Sequence, residues 1–111
     1  MENSIIKVTA RCPIRTTLEL IGGKWKLLIM HQIADKSIRL SELKRQIPDI
    51  SEKMLIQELK KLVDSNLVER HNFGEVPPRV TYNLTSNGLK IMPLIQEMGK
   101  FGLDYEKNIK Q

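Results

Sequence analysis

Aromatic side chains are scarce in this sequence: Phe, Trp and Tyr together make up 5% of its 111 residues. A core built without them rests on Leu, Ile, Val and Met. In one small subunit such a core is thin, and a dimer interface adds apolar burial that the single chain lacks. Cysteine is scarcer still. The single Cys12 excludes an intramolecular disulfide framework and suits a reducing cytoplasm, where the chain is expected to reside. No stretch approaches the ~20 apolar residues that span a bilayer. Met1 to Arg11 also lacks the apolar run of a signal peptide, so no membrane association is expected. His31 and His71 are isolated from each other and from Cys12, which makes a poor zinc site and leaves no metal or cofactor to expect. No Ser/His/Asp set or paired-carboxylate pattern argues for an enzyme. Gly22-Gly23-Lys24 lacks the spacing and the following Ser or Thr of a phosphate loop. Internal repeats, low-complexity tracts and Gly/Ser/Pro-rich linkers are absent as well.

What is present is positive charge: 18 Lys and Arg against 13 Asp and Glu, a net +5. That balance suits a polyanionic partner such as nucleic acid, although many unrelated proteins are basic. Apolar residues at 41% and charged residues at 28% fit one compact globular domain with an added oligomerisation element.

Local signals divide the chain into helices, a hairpin and further helix, an α+β and mostly α pattern. Pro13 stands where a helix begins, Ile14, Thr17, Leu18 and Ile21 recur at helical spacing, and Gly22-Gly23 ends the segment. A second helix is predicted from near Lys24 to Asp35-Lys36, with Trp25, Leu28, Ile29 and Ile33 as its buried stripe. Ile38-Arg39 reads as a short extended piece. Ser41 is the expected cap of a third helix over 41–47, with Leu40, Leu43 and Ile47 inward and Pro48 stopping it.

A fourth helix over 52–65 carries a stronger start signal. Ser51 stands at its N-cap, Ile50 and Leu55 are placed as a hydrophobic staple, and Glu52 favours the positive helix end. Leu55, Leu59 and Leu62 supply its core stripe, and Asn66 suits the left-handed cap that ends it. Leu67 to Phe73 and Arg79 to Leu84 then read as strands, with Val80, Tyr82 and Leu84 on one face and Arg79, Thr81 and Asn83 on the other. Gly74-Glu75-Val76-Pro77-Pro78 forms the tip between them. Thr85 caps a C-terminal helical region that Pro93 is expected to kink or divide. Two short helices joined by Pro48-Asp49-Ile50-Ser51 are a helix-turn-helix candidate, and the hairpin after them makes it a winged one.

The segments Cys12-Pro13, Gly22-Gly23-Lys24-Trp25, Ser41-Glu42-Leu43, Ile50-Ser51 with Lys53-Met54-Leu55, and Pro77-Pro78-Arg79-Val80 with Tyr82 and Leu84-Thr85 resemble the HxlR-type winged helix-turn-helix regulators. The match runs in order from about Cys12 to Gly102. The resemblance implies a homodimeric DNA-binding regulator whose fourth helix enters the major groove and whose terminal helices pair the subunits. The chain departs from the family pattern at Leu40, where Phe is usual, at Ile56 (Thr), at Thr81 (Glu) and at Phe101 (Trp). Ile56 falls on or near the groove-facing side, so no particular operator carries over.

The polar side of the fourth helix holds Glu52, Lys53, Gln57, Lys60 and Lys61. At about 1.5 Å per residue the helix spans roughly 21 Å, enough to cross a major groove. Ser51, Glu52, Lys53, Ile56 and Gln57 are best placed for base edges: Gln57 pairs with adenine, Lys53 with guanine or phosphate, and Ile56 meets a thymine methyl. Lys60, Arg39, Lys44 and Arg45 are candidate DNA contacts, the last three to phosphate. On the wing, Arg79 has a better claim than Arg70, which has Glu69 and Glu75 as ready ion-pair partners; His71 flanks the same tip. A dimer with reading helices about 34 Å apart would take a near-palindromic operator.

Leu94, Met98, Phe101 and Tyr105 form a seam suited to a partner subunit, and Gly99 and Gly102 permit close approach. The domains expected are a tail over 1–11, the winged helix-turn-helix over 12–85 and a dimerisation region over 86–111. Cys12, before Pro13 at a helix start and near Arg11 and Arg15, is the candidate redox- or electrophile-sensing residue, set against the commoner role of cysteine as a small buried hydrophobe. The effector, oxidant or small molecule, stays unidentified. The competing assignment is a winged helix that serves as a protein-interaction module, since fold does not dictate function.

Overall fold

The computed structural model describes residues 6–109; residues 1–5 of the expected tail and 110–111 of the expected dimerisation region lie outside the described residues. The chain runs α1 (Pro13–Ile21), α2 (Lys26–Ile33), α3 (Leu40–Gln46), α4 (Glu52–Asp64), β1 (Val68–Asn72), β2 (Val80–Leu84), α5 (Ser86–Leu89) and α6 (Met92–Ile109). Pro13 opens α1 as its first residue. The glycine pair ends it for two different reasons. A Cβ on Gly22 would collide with the Leu18 carbonyl oxygen, and Gly23 holds φ +100°, a conformation that L side chains rarely adopt.

Ile29, Met30 and Ile33 of α2 meet Leu43, Leu55, Leu59, Leu62, Val68 and Tyr82 in one core. Leu28, expected in the buried stripe of α2, is instead 46% exposed. Leu27, Leu28, Ile29 and Met30 are four apolar residues in succession, so periodicity alone selects no face; Met30 takes the inward position and Leu28 turns toward α6. Ser41 is likewise not a cap. α3 starts one residue earlier, with Arg39 at its N-cap and Ile47 closing it. The cause lies just upstream. Ile38 exchanges backbone hydrogen bonds with Tyr82, its N–H donating at 2.9 Å and its carbonyl accepting at 2.8 Å, so the chain leaves the sheet and turns straight into the helix.

α4 begins as expected. Ser51 Oγ accepts from the Met54 N–H at 3.0 Å, and Ile50 and Leu55 are both buried behind the cap. Asn66 ends it at φ +61°, in the left-handed region. The strands pair antiparallel with Val68 opposite Leu84, Arg70 opposite Tyr82 and Asn72 opposite Val80. Each is shorter than expected by a residue at one or both ends. Thr81 is buried although it lies on the face away from Tyr82, so the alternation does not translate into one wet and one dry face. Pro93 divides the C-terminal region rather than kinking it. The break falls at Lys90-Ile91, and Pro93 is the second residue of α6, where its missing N–H is not required.

Candidate nucleic-acid interface

Helix α4 turns Leu55, Glu58, Leu59 and Leu62 inward. With about 3.6 residues per turn, the opposite side carries Lys53, Gln57, Lys60 and Asp64, all exposed. The helix is thus held from behind by leucines and presents amide and ammonium groups in front. Lys60 Nζ pairs with Asp64 Oδ2 at 3.3 Å on this front, which tethers one cation without burying it. Ser51 and Glu52 stand exposed at the N-terminal end of the same surface. Ile56 occupies one edge, 46% exposed, where it borders a groove of about 300 Å³ shared with Lys60, Val63, Arg70 and Tyr82.

That groove places Arg70 on the α4 side of the wing. In the strand ladder Arg70 faces Tyr82, so its side chain lies on the same sheet face as Tyr82 and reaches along α4. The carboxylates expected to pair with Arg70 are engaged elsewhere: Glu69 lies 3.6 Å from the His71 ring and Glu75 pairs with Arg79 at 3.1 Å. The signal that would have found this was the ladder register, which the alternating residues 80, 82 and 84 already implied. Arg79 falls with Thr81 and Asn83 on the other face. Its guanidinium lies 3.8 Å over the Phe73 ring and donates to both Glu75 oxygens, at 3.1 and 3.4 Å. The structure therefore groups Ser51, Glu52, Lys53, Ile56, Gln57 and Lys60 on one surface with Arg70 beside them, and sets Arg79 apart at the wing tip.

Arg39 and Arg45 are exposed at the two ends of α3, while Lys44 is half-buried and donates to the Pro48 carbonyl at 3.4 Å across the turn. The Ile38–Tyr82 bridge fastens the segment before α3 to the wing. Among the described residues no group of three or more His, Cys, Asp or Glu gathers as a metal site, and no helix is long and apolar enough to cross a membrane. Cys12 is the N-cap residue of α1 and is buried, 4% exposed.

On α6, Leu94, Met98, Phe101 and Tyr105 are 41%, 50%, 70% and 56% exposed, and the Phe101 and Tyr105 rings stack at 5.9 Å. Leu94 and Met98 join Ile14, Leu18, Ile21 and Leu27 around an open apolar groove of about 630 Å³ between α1 and α6.

A capped helix after a short turn, a supporting helix before it and a hairpin bridged to the segment that enters the pair define a winged helix-turn-helix domain of the kind found in transcriptional regulators. Comparison with known proteins gives the family. The HxlR-like helix-turn-helix description matches residues 20–110, and the chain belongs to that family. The HTH-type transcriptional regulator YkvN of Bacillus subtilis is 45% identical over 91 residues, 82% of this chain and 77% of YkvN. The crystal structure of a MarR-family transcriptional regulator from Porphyromonas gingivalis W83 superposes with a TM-score of 0.84 at 49% identity, covering 87% of this chain and 95% of that one. The redox regulator HypR in its reduced form superposes at 0.83 with 33% identity, covering 88% and 97%. These relatives are transcriptional regulators rather than enzymes.

Proposed function

We propose that this chain is a cytoplasmic homodimer that binds duplex DNA sequence-specifically at a near-palindromic operator, with α4 in the major groove. The observation that carries the reading is the exposed row Lys53, Gln57 and Lys60 on a helix whose other side is wholly committed to the core. Arg70 extends the row toward the wing, while Arg39 and Arg45 bracket α3 with cations suited to phosphate. The domain division follows: residues 12–85 form the DNA-binding unit and 86–111 supply dimerisation. The dimer reading is supported by the apolar groove between α1 and α6 and by the exposed apolar seam of α6. Selection of genomic fragments with purified protein, followed by titration of salt on the recovered duplex, tests the proposal. Affinity should fall steeply as salt rises, and Arg70→Ala should reduce the log–log slope by about one. Affinity indifferent to salt removes the phosphate-contact reading and favours a protein-interaction module.

Regulation through Cys12 is proposed on narrower support: its place as the N-cap residue of α1, next to Arg11 in sequence, and the structural likeness to HypR, described as a redox regulator. Its burial means that an oxidant reaches the sulfur only when the structure around it opens. DNA release under diamide should be lost in Cys12→Ser; equal release by both proteins removes Cys12 from the mechanism.

A further inference from the structure

The inward stripe of α4 contains one residue out of keeping with its leucines. Glu58 has a side chain only 10% exposed, and among the described residues no other carboxylate is buried. Its Oε1 lies 3.8 Å from Nζ of Lys26, the first residue of α2, whose side chain is 14% exposed. Its Oε2 lies 3.4 Å from Nζ of Lys61, one turn along α4 and 62% exposed. One buried carboxylate thus engages ammonium groups from two helices.

Burying that charge is a poor way to gain stability, because desolvation offsets most of the Coulombic attraction and an apolar side chain of similar volume does as well or better. What an ion pair adds is direction. Leucine contacts are non-directional, whereas the Lys26–Glu58 pair, 3.8 Å apart, favours the rotational setting of α4 that keeps Glu58 against α2. That setting decides whether Lys53, Gln57 and Lys60 face outward together. Resting on the DNA-binding reading above, we infer that Glu58 is a positioning residue for sequence readout, anchoring the reading helix to α2 through Lys26. Glu58 also tethers Lys61, which stays exposed on the flank of α4.

The test uses the full chain, the duplex recovered by selection and a scrambled duplex of equal length. Glu58→Leu should melt at or above the wild-type temperature yet lose roughly tenfold in preference for the recovered duplex, the scale of one base-edge contact. Binding to scrambled DNA should be unchanged. Lys26→Met should produce the same loss, the double variant no more than either, and Glu58→Gln, which keeps an acceptor for Lys26, should restore most of the preference. Emission from Trp25, the only tryptophan and the neighbour of Lys26, should shift equally in Glu58→Leu, Lys26→Met and the double variant. Intact preference in Glu58→Leu, or losses that add in the double variant, overturns the inference. Wild-type protein that treats the two duplexes alike overturns the reading of α4 instead. The pair is then judged by Trp25 emission alone, with no shift overturning it.

Discussion

Glu75 occupies the fork of the Arg79 guanidinium, a geometry that a phosphate could also take, and Phe73 supports the plane from below. Both charged side chains are partly open, 38% and 54% exposed, so the pair is worth at most about 1 kcal/mol and a phosphate can displace the carboxylate. If Arg79 makes that exchange on DNA, Glu75→Gln should tighten duplex binding about two- to fivefold at low salt, as read by fluorescence anisotropy. Unchanged affinity makes Arg79 a clasp of the wing tip and nothing more. Ser51 offers a cleaner separation of fold from contact. Its Oγ already caps α4, and aspartate caps a helix as well as serine does. Ser51→Asp should therefore keep the melting temperature while costing at least about tenfold in DNA affinity, because the new charge faces phosphate. Ser51→Ala should instead lose about 1 kcal/mol of stability through the missing cap. A Ser51→Asp protein that binds as tightly as wild type places the start of α4 away from the duplex.

Elements announced by a punctuating residue were legible in the sequence, and elements placed by distant contacts were not. Ser51, Asn66, Thr85 and Gly22-Gly23 each act on their own backbone, so they marked boundaries that the structure keeps. The start of α3 depends on Tyr82, more than forty positions away, and no local signal at Ser41 could report that bridge. The position of Arg70 beside α4 was hidden for the same reason, since its neighbours there are distant in sequence. Glu58 was legible in principle: spacing alone puts it among Leu55, Leu59 and Leu62, and a charge there calls for a partner. A further junction of this kind sits where the wing returns to the helices. Thr85 donates its hydroxyl to the Asn66 carbonyl at 2.7 Å and accepts from the Gly88 N–H at 3.0 Å. This brings α5 so close to the residue entering β1 that a Cβ on Gly88 would collide with the Leu67 carbonyl oxygen. Glycine to alanine in a helix ordinarily stabilises by about 1 kcal/mol. Gly88→Ala should do the reverse and cost about 1–3 kcal/mol through overpacking, measured by urea denaturation. A stabilised Gly88→Ala protein would mean that α5 does not sit against β1.

The molecule as a whole is drawn out for its size. Its radius of gyration is 16.3 Å, against about 13 Å for a compact chain of this length. The later turns of α6 carry Phe101, Leu103, Tyr105 and Ile109 at 56–70% exposure, outside the core. A lone helix with that much open apolar surface is poorly stable in water and calls for a partner surface. Two copies joined along α1 and α6 would meet the need. Met98 lies at the crossing of these surfaces, bordering both the groove against α1 and the smaller one against α2. A carboxylate there would be buried without a counter-ion on dimerisation yet remain solvated in the monomer. Met98→Glu should therefore elute at the 12.8 kDa mass of a single chain in light scattering while its circular dichroism stays close to wild type. Its affinity for a duplex carrying both half-sites should fall about a hundredfold, as the second α4 loses its tether, with single half-site binding unchanged. Equal loss on both duplexes would point to damage within the protomer. A Met98→Glu protein that remains dimeric would move the interface to the distal part of α6, where Phe101→Glu should then separate the subunits.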